Sequence, residues 1–468
     1  MLSISAAFFS PRKQWTYSGI DMDEFIRCGK LYTGCGTDIL TDQVVCINGD
    51  RVTEVVPFEA FVQSGRRVSV DHSAHFVMPG LIDVHTHLAY GNAKTEEDID
   101  LYGSTEFRAL RGAFFSQRVL AAGYTSICSP GDSGNVSTAI RDAVDAGFFD
   151  GPSVTAAGPY ITTRQGLTDW YPTWVGVPST SIGRLVRSRD EAIEEVRRQA
   201  KDGVDMIKIA LDGIQRRPDG EHIAAFTLDE TLAMVEEIHR LGKIAVAHAR
   251  GREATLYAGK AGVDLIFHCS YMDDECLDWV LRNGCAISPS LTLLKNTMDF
   301  SQAADPYHQK GRRAAYQIEY DAAIAALQKA RLAGVPMPTG TDTGFAVTPY
   351  GEWHARELQI YVEDLGFSAM EAMQATTSVS AAVLRPKDKA GRLQAGFHAD
   401  LIVLRADPSL DIKVLMDSQT FVEIWKRGKR VQPEIRSYNH RQVSDFSMTM
   451  FSDIYTRARV AELASVEN

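Results

Sequence analysis

At 468 residues, 45% of them hydrophobic and 23% charged, the chain has the composition of a globular protein with a large core, and its length suits two or three domains. A net charge of −11 argues against a nucleic-acid partner, and no apolar run approaches the ~20 residues of a membrane span. Seven cysteines, irregularly spaced and without a CxxC pair, suit reduced thiols in a cytoplasm and argue against thiolate zinc.

Residues 1–26 read as an N-terminal extension, because the mildly apolar start lacks the basic region and cleavage site of a signal peptide. Between residues 25 and 77 short β-rich runs alternate with turns, and Asn48-Gly49 is a hairpin signal. A β-rich stretch returns at 399–404 and 422–429. The two ends are expected to build one small β-sandwich from residues 27–77 and 389–432. Between them lie eight strand-like runs: 81–87, 124–128, 153–157, 206–210, 244–247, 265–268, 286–288 and 335–339. Helical stretches separate most of them, among them 188–201, 228–241, 253–261 and 312–332. In the second of these Leu232, Val235, Ile238 and Leu241 share a face. Eight such units predict an α/β protein with a closed (β/α)8 TIM barrel over residues 78–388. Residues 433–468 form a C-terminal extension. The 160–185 connection is long and rich in Gly, Pro, Thr and Trp, and irregular loops of that length are usually functional.

The first strand-like run ends in His85-Thr86-His87. Residues two apart in extended chain project to one side, so the two imidazoles form half of a metal site. In a barrel the catalytic groups sit at the C-terminal ends of strands. Four more competent side chains fall at such ends: Lys208, His248, His268 and Asp342. Singly, each has an ordinary reading: a rim histidine, a snorkelling lysine, a turn aspartate. Jointly they end strands four, five, six and eight and converge with the His85 pair on one mouth. An ammonium is repelled by cations, so Lys208 needs a chemical reason to be there. Carboxylation by CO2 gives one, because the carbamate is an anion with two oxygens that bridges two divalent ions.

This constellation resembles the binuclear amidohydrolase superfamily. The matching residues are Pro79–His87, Lys208, His248 within Ala247-His248-Ala249, His268, Asp342 within Gly340-Thr341-Asp342, and the C-terminal run 390–403. The resemblance covers residues 27–432 and is similar in spacing to the imidazolonepropionase-like branch with its Xaa-Pro dipeptidases and ochratoxin-hydrolysing amidases. Phenylurea and molinate hydrolases are further relatives. The resemblance implies that His85, His87 and Asp342 hold one metal, that His248 and His268 hold a second, and that N6-carboxylated Lys208 bridges both with a hydroxide between them. It implies two divalent ions, zinc by the N/O donors, with cobalt or manganese also suitable. Asp342 is then the catalytic base and acid, and the product of the chemistry is a hydrolysed C–N bond.

Two departures from the family pattern bear on substrate. Relatives usually read His-x-His after strand five, whereas this chain has His248-Ala249-Arg250. Arg250 either binds a substrate carboxylate or carbonyl, or is a surface residue at the start of the next helix. Relatives often carry Gly-His-Gly in the 160–185 loop, where this chain has Trp170, Tyr171 and Trp174 without a histidine. These aromatics either wall an apolar pocket or form the loop's own core. Tyr271, three residues after His268, is a candidate for reaching a substrate oxygen. The departures favour a small, largely apolar amide, carbamate or urea, such as an N-aryl or N,N-dialkyl compound. A dipeptidase or N-acyl-amino-acid amidase role stands next, although the intact His85 counts against the phenylurea and molinate type. A deaminase is disfavoured by Lys208 and because Ala249, Arg250, Gly251 and Arg252 separate His248 from Glu253 where a glutamate usually follows the strand-five histidine, and a non-catalytic assembly role by the complete ligand set. A homo-oligomer acting on a small molecule is expected by analogy.

Overall fold

The computed structural model describes residues 23–217, 221–300, 312–433 and 435–437. The expected extensions, 1–26 and 433–468, lie almost wholly outside the described residues. The described chain is a mixed α/β protein in which both ends share one sheet and the middle supplies parallel strands and helices.

Strands β1 (Glu24–Tyr32), β2 (Ile39–Asn48), β3 (Arg51–Pro57) and β4 (Val70–Pro79) come from the beginning of the chain. They share a seven-stranded sheet with β16 (Leu401–Leu404), β17 (Phe421–Lys426) and β18 (Lys429–Val431), in the order β18-β17-β16-β4-β1-β2-β3. The expected hairpin is present: Asn48 pairs with Arg51, and Gly49 takes the left-handed φ of +58° that so tight a turn requires. Period-two alternation attaches this sheet to the rest of the molecule. Val77, Leu401 and Val403 pack with Ile26, Val45 and Trp425 on one face, while Phe76, Met78, Ile402 and Leu404 join the main core on the other.

The middle of the chain carries β5 (Leu81–Asp83), β6 (Tyr124–Ser129) and β7 (Ser153–Ala156) as one parallel sheet. A second contains β8 (Tyr160–Thr162), β9 (Gly183–Leu185), β10 (Met206–Ala210), β13 (Ile244–Ala249), β14 (Leu265–His268) and β15 (Ala286–Ser288), ordered β15-β14-β13-β10-β8-β9. The hairpin of β11 (Asp212–Arg216) and β12 (His222–Ala224) follows β10. The two parallel sheets meet where Asp205 N–H donates to the Ala156 carbonyl at 2.8 Å. At the other end, Ile287 N–H donates to Pro336 O at 3.0 Å and Val84 N–H to Thr339 O at 2.9 Å.

Three sequence expectations are corrected. The run 335–339 is not a regular strand, because Pro336 and Pro338 have no N–H to continue a ladder; the carbonyls of Pro336 and Thr339 and the N–H and hydroxyl of Thr339 tie it to its neighbours. The run 81–87 is a regular strand only to Asp83, although Thr86 N–H and His87 N–H still donate to Cys128 and Thr343 on either side. In the helix Leu228–Arg240, opened by a Thr227–Glu230 capping box, Leu232 is 42% exposed and the buried face runs through Thr231, Met234, Val235 and Ile238. The helices Arg189–Lys201, Arg252–Ala261 and Arg312–Leu332 fall where the periodicity put them. No described helix is long and apolar enough to cross a membrane, and all seven cysteines are free.

One buried ion pair pins the two-ended sheet to the parallel strands. Lys426 Nζ on β17 donates to Asp400 Oδ2 at 2.6 Å and to Ser153 Oγ on β7 at 2.8 Å. Asp400→Ala strands that ammonium, and the expected loss is about 3–5 kcal/mol in equilibrium urea unfolding. The double variant Asp400→Ala/Lys426→Met recovers part of it. A loss below 1 kcal/mol for the single variant would show that the pair is not needed.

Candidate metal centre

The six sequence-predicted ligands come together, all buried. His85 and His87 aim Nε2 at Asp342 Oδ1, at 3.5 and 3.2 Å. Lys208 Nζ lies 3.1 Å from His85 Nε2, and His268 Nε2 lies 3.1 Å from His248 Nδ1. The His85 and His268 ring centroids are 5.5 Å apart, so the two groups share one mouth. The Phe267 ring forms its floor, stacked on His85 at 4.0 Å with Lys208 Nζ 4.7 Å above its centroid.

Local backbone geometry makes this convergence possible. Asp342 and His268 both hold positive φ, +57° and +78°, which non-glycine residues keep only where the surroundings impose it. Beneath the cluster Asp83 ties the first and last strand segments together. It accepts from the N–H groups of His85 and Thr341, from the Thr341 hydroxyl, and from His354 Nδ1 at 2.7 Å. Gly340 has no room for a side chain: a Cβ there would stand 2.6 Å from both His85 Cβ and Ser288 Oγ.

Burial sets the charge states. It pushes His85 and His268 well below the usual imidazole range, and lowers His248 too. It pushes Lys208 down to about 8, which favours the neutral amine that CO2 can carboxylate. Burial alone would raise Asp342, but the imidazoles of His85 and His87 hold it far below the usual carboxylate range. Imidazole nitrogens and an ionised carboxylate are a donor set for a divalent cation, and His85, His87 and Asp342 offer three donor atoms within 4.8 Å of one another. Neighbouring donors at 3.1–3.5 Å match the separation that bonds of roughly 2.0–2.2 Å impose around one ion.

The substrate candidates separate. Arg250 is not a surface residue; it is 13% exposed, and its Nη1 donates to the buried Glu319 at 2.5 Å. Glu319 also accepts from Ser270 at 2.9 Å and stands 3.5 Å from Arg216 and 4.0 Å from His222. Tyr271 is half-buried beside this group, 5.9 Å from the His222 ring. The 160–185 loop differs from expectation. Trp170 donates its indole N–H to buried Asp100 at 2.8 Å, Tyr171 is half-buried, and Trp174 is 86% exposed, so Trp174 walls nothing. The apolar wall is built instead by Tyr90, Tyr160 and Ile182 with Leu167 and Phe345, and Tyr90 stacks on His87 at 4.2 Å.

Sequence reasoning missed Asp212, which lies 3.0 Å from His248 Nε2 and accepts from the N–H groups of Arg250 and Gly251 at 2.7 Å each. A signal existed: Asp212 follows Lys208 by four residues in extended chain and faces the same side. Glu319, inside an amphipathic helix, carried no signal.

A parallel α/β layer carries a buried histidine-carboxylate-lysine cluster, and His85, His87 and Asp342 within it form a candidate metal-binding group. Residues 76–431 match the amidohydrolase family, and the chain belongs to it; it is an enzyme that hydrolyses C–N bonds. It is 29% identical over 412 residues to ochratoxinase of Aspergillus niger, covering 84% of this chain and 82% of that one. The crystal structure of A. niger ochratoxinase superposes with a TM-score of 0.77 at 26% identity, covering 87% and 95% of the two chains. A Xaa-Pro dipeptidase with bound methionine gives 0.75 at 27%, covering 88% and 100%. Molinate hydrolase shares the fold, with a TM-score of 0.69 at 19% identity over 87% and 94%.

Gly340→Ala is expected to displace His85 and deplete the protein of metal while circular dichroism stays native, at a stability cost of about 1–3 kcal/mol. Wild-type metal content in that variant, read by plasma mass spectrometry, would contradict the packing argument.

Proposed function

We propose that the protein is a binuclear amidohydrolase that cleaves the amide bond of a small N-acyl amino acid or dipeptide. The parallel strands are read as a closed (β/α)8 barrel over residues 78–388, with a composite β-sandwich from 27–77 and 389–432. The observation that carries the substrate reading is Arg250, largely enclosed two residues beyond His248. Its guanidinium is held beside the cluster by Glu319, which also stands 3.5 Å from Arg216. A guanidinium so placed offers a planar fork to a substrate carboxylate. The likeness to ochratoxinase and to a Xaa-Pro dipeptidase points the same way. This reverses the order of the two substrate classes expected from sequence. The apolar wall of Tyr90, Tyr160 and Phe345 suits the acyl part of such a substrate.

In this reading His85, His87 and Asp342 would hold one divalent ion, His248 and His268 a second, and Lys208, once carboxylated, would serve both, with zinc proposed and cobalt or manganese suitable. When bound, the ions supply a water acidified towards neutral pH and polarise the scissile carbonyl. Asp342, kept ionised by its imidazole neighbours, takes the proton from the attacking water and returns it to the leaving nitrogen. Arg250 orients the carboxylate end, and the aromatic wall excludes bulk water from the reacting bond.

Metal analysis is expected to find two ions per chain and a carbamylated lysine; none after metal-replete expression would end this reading. Asp342→Asn is expected to lower kcat by roughly 10²–10⁴-fold in steady-state assays. Specificity is read on a panel of Xaa-Pro and hydrophobic dipeptides, N-acyl amino acids, anilides, phenylureas and thiocarbamates. Arg250→Ala removes the nearest cation from the buried Glu319, so Arg250→Met/Glu319→Gln is assayed beside it. Loss confined to the carboxylate-bearing substrates is expected. Equal loss on the neutral ones, or turnover of those alone by wild type, would return the assignment to N-aryl or N,N-dialkyl compounds.

A further inference from the structure

His85 and His87 aim the same nitrogen at Asp342 but are held from behind in different ways. His87 Nδ1 lies 2.7 Å from the Gly131 carbonyl. A carbonyl only accepts, so Nδ1 carries the proton and Nε2 keeps its lone pair. His85 Nδ1 lies 2.7 Å from Ser290 Oγ. A hydroxyl both donates and accepts, so this contact alone leaves the tautomer open.

Two neighbours decide it. Ser288 Oγ, 3.4 Å from Ser290 Oγ, offers an acceptor for the Ser290 hydroxyl proton and leaves a Ser290 lone pair for His85. Ser290 itself sits at a φ of +52°, a conformation that a non-glycine residue holds only when forced. The force comes from Glu357, fully buried in the helix Arg356–Glu363. Its carboxylate accepts from Leu291 N–H at 3.0 Å, from Thr292 N–H at 2.8 Å and from the Thr292 hydroxyl at 2.6 Å. The two backbone donors directly after Ser290 are thereby fixed, and Ser290 with them.

We propose that Ser290, pinned by Glu357, is a positioning residue that accepts the Nδ1 proton of His85 and so commits His85 Nε2 to a divalent cation. The inference rests on the reading of His85, His87 and Asp342 as ligands. A capping role for Glu357 at the helix Thr292–Phe300 affects folding only; the Ser290 role adds a tautomer and a metal affinity.

The test uses the full-length protein and Ser290→Ala, Ser290→Gly and Glu357→Gln. Ser290→Gly also removes the reason for backbone strain, so a loss shared by both serine variants is due to the hydroxyl. Zn2+ affinity is measured by competition with a chromophoric chelator. Nitrogen-15 ring shifts of His85 in the metal-free protein report the tautomer. Both serine variants are expected to fold, to bind one of the two ions roughly 10–100-fold more weakly, and to show His85 as a tautomer mixture. Glu357→Gln is expected to weaken the same ion with Ser290 still present. Wild-type affinity together with an unchanged His85 tautomer in Ser290→Ala and Ser290→Gly would overturn the proposal. Failure of the wild type to bind Zn2+ would instead remove the ligand reading, while the tautomer measurement still judges Ser290.

Discussion

The ionised Asp342 carboxylate, buried among His85, His87 and Lys208, is the interaction on which the rest of the structure depends. Enclosing a charge without water is costly unless hydrogen-bonding or cationic partners surround it. Here the neighbouring groups come from strand segments far apart in the chain, and His85 Nε2 and His87 Nε2 end 3.5 and 3.2 Å from Asp342 Oδ1. Gly340 lets the last segment approach the first closely enough. The proline-broken run 335–339 allows Asp342 to turn inward at positive φ, and the Asp83 network ties the two segments below the cluster. Remote anchors such as Lys426 with Asp400 and Ser153 secure the two-ended sheet against which these strands pack.

The six clustered residues were legible because they obey a rule that sequence can express: polar side chains at the ends of apolar, period-two runs. That rule needs only the local conformation; β10, β14 and β15 have the expected bounds to the residue, and His268 ends β14 while Lys208 sits in the middle of β10. The supporting residues obey no such rule. Glu319 looks like any acidic residue of a helix, and Glu357 like another. Each becomes part of the mouth only because tertiary packing turns its face inward. Ser290 carries no signal either, since its importance lies in a φ value that sequence does not announce. Trp170 misled for the opposite reason. An aromatic cluster in a long loop suggests a pocket wall, but burying an indole N–H requires an acceptor, and Asp100 draws Trp170 to itself.

The helix Leu228–Arg240 shows the same limit on a smaller scale. Leu232, Val235 and Ile238 satisfy the periodicity, yet a stripe through Thr231, Met234 and Val235 is equally periodic and rotated by part of a turn. Pattern alone does not fix which of two adjacent stripes meets the core when one contains a threonine. The capping box fixes where the helix begins, not how it is rolled.

The two halves of the cluster are backed differently. His85 and His87 rest on neutral acceptors, the Ser290 hydroxyl and the Gly131 carbonyl. His248 rests on the carboxylate of Asp212, whose other oxygen is occupied by two backbone N–H groups. A carboxylate behind an imidazole raises its basicity as a ligand, whereas a neutral acceptor chiefly fixes its orientation. On the His85 side the negative charge is supplied directly, by Asp342. On the His248 side it is supplied from behind, by Asp212. The charge is thus placed asymmetrically: among the clustered donors on the His85 side, and behind the imidazole on the His248 side.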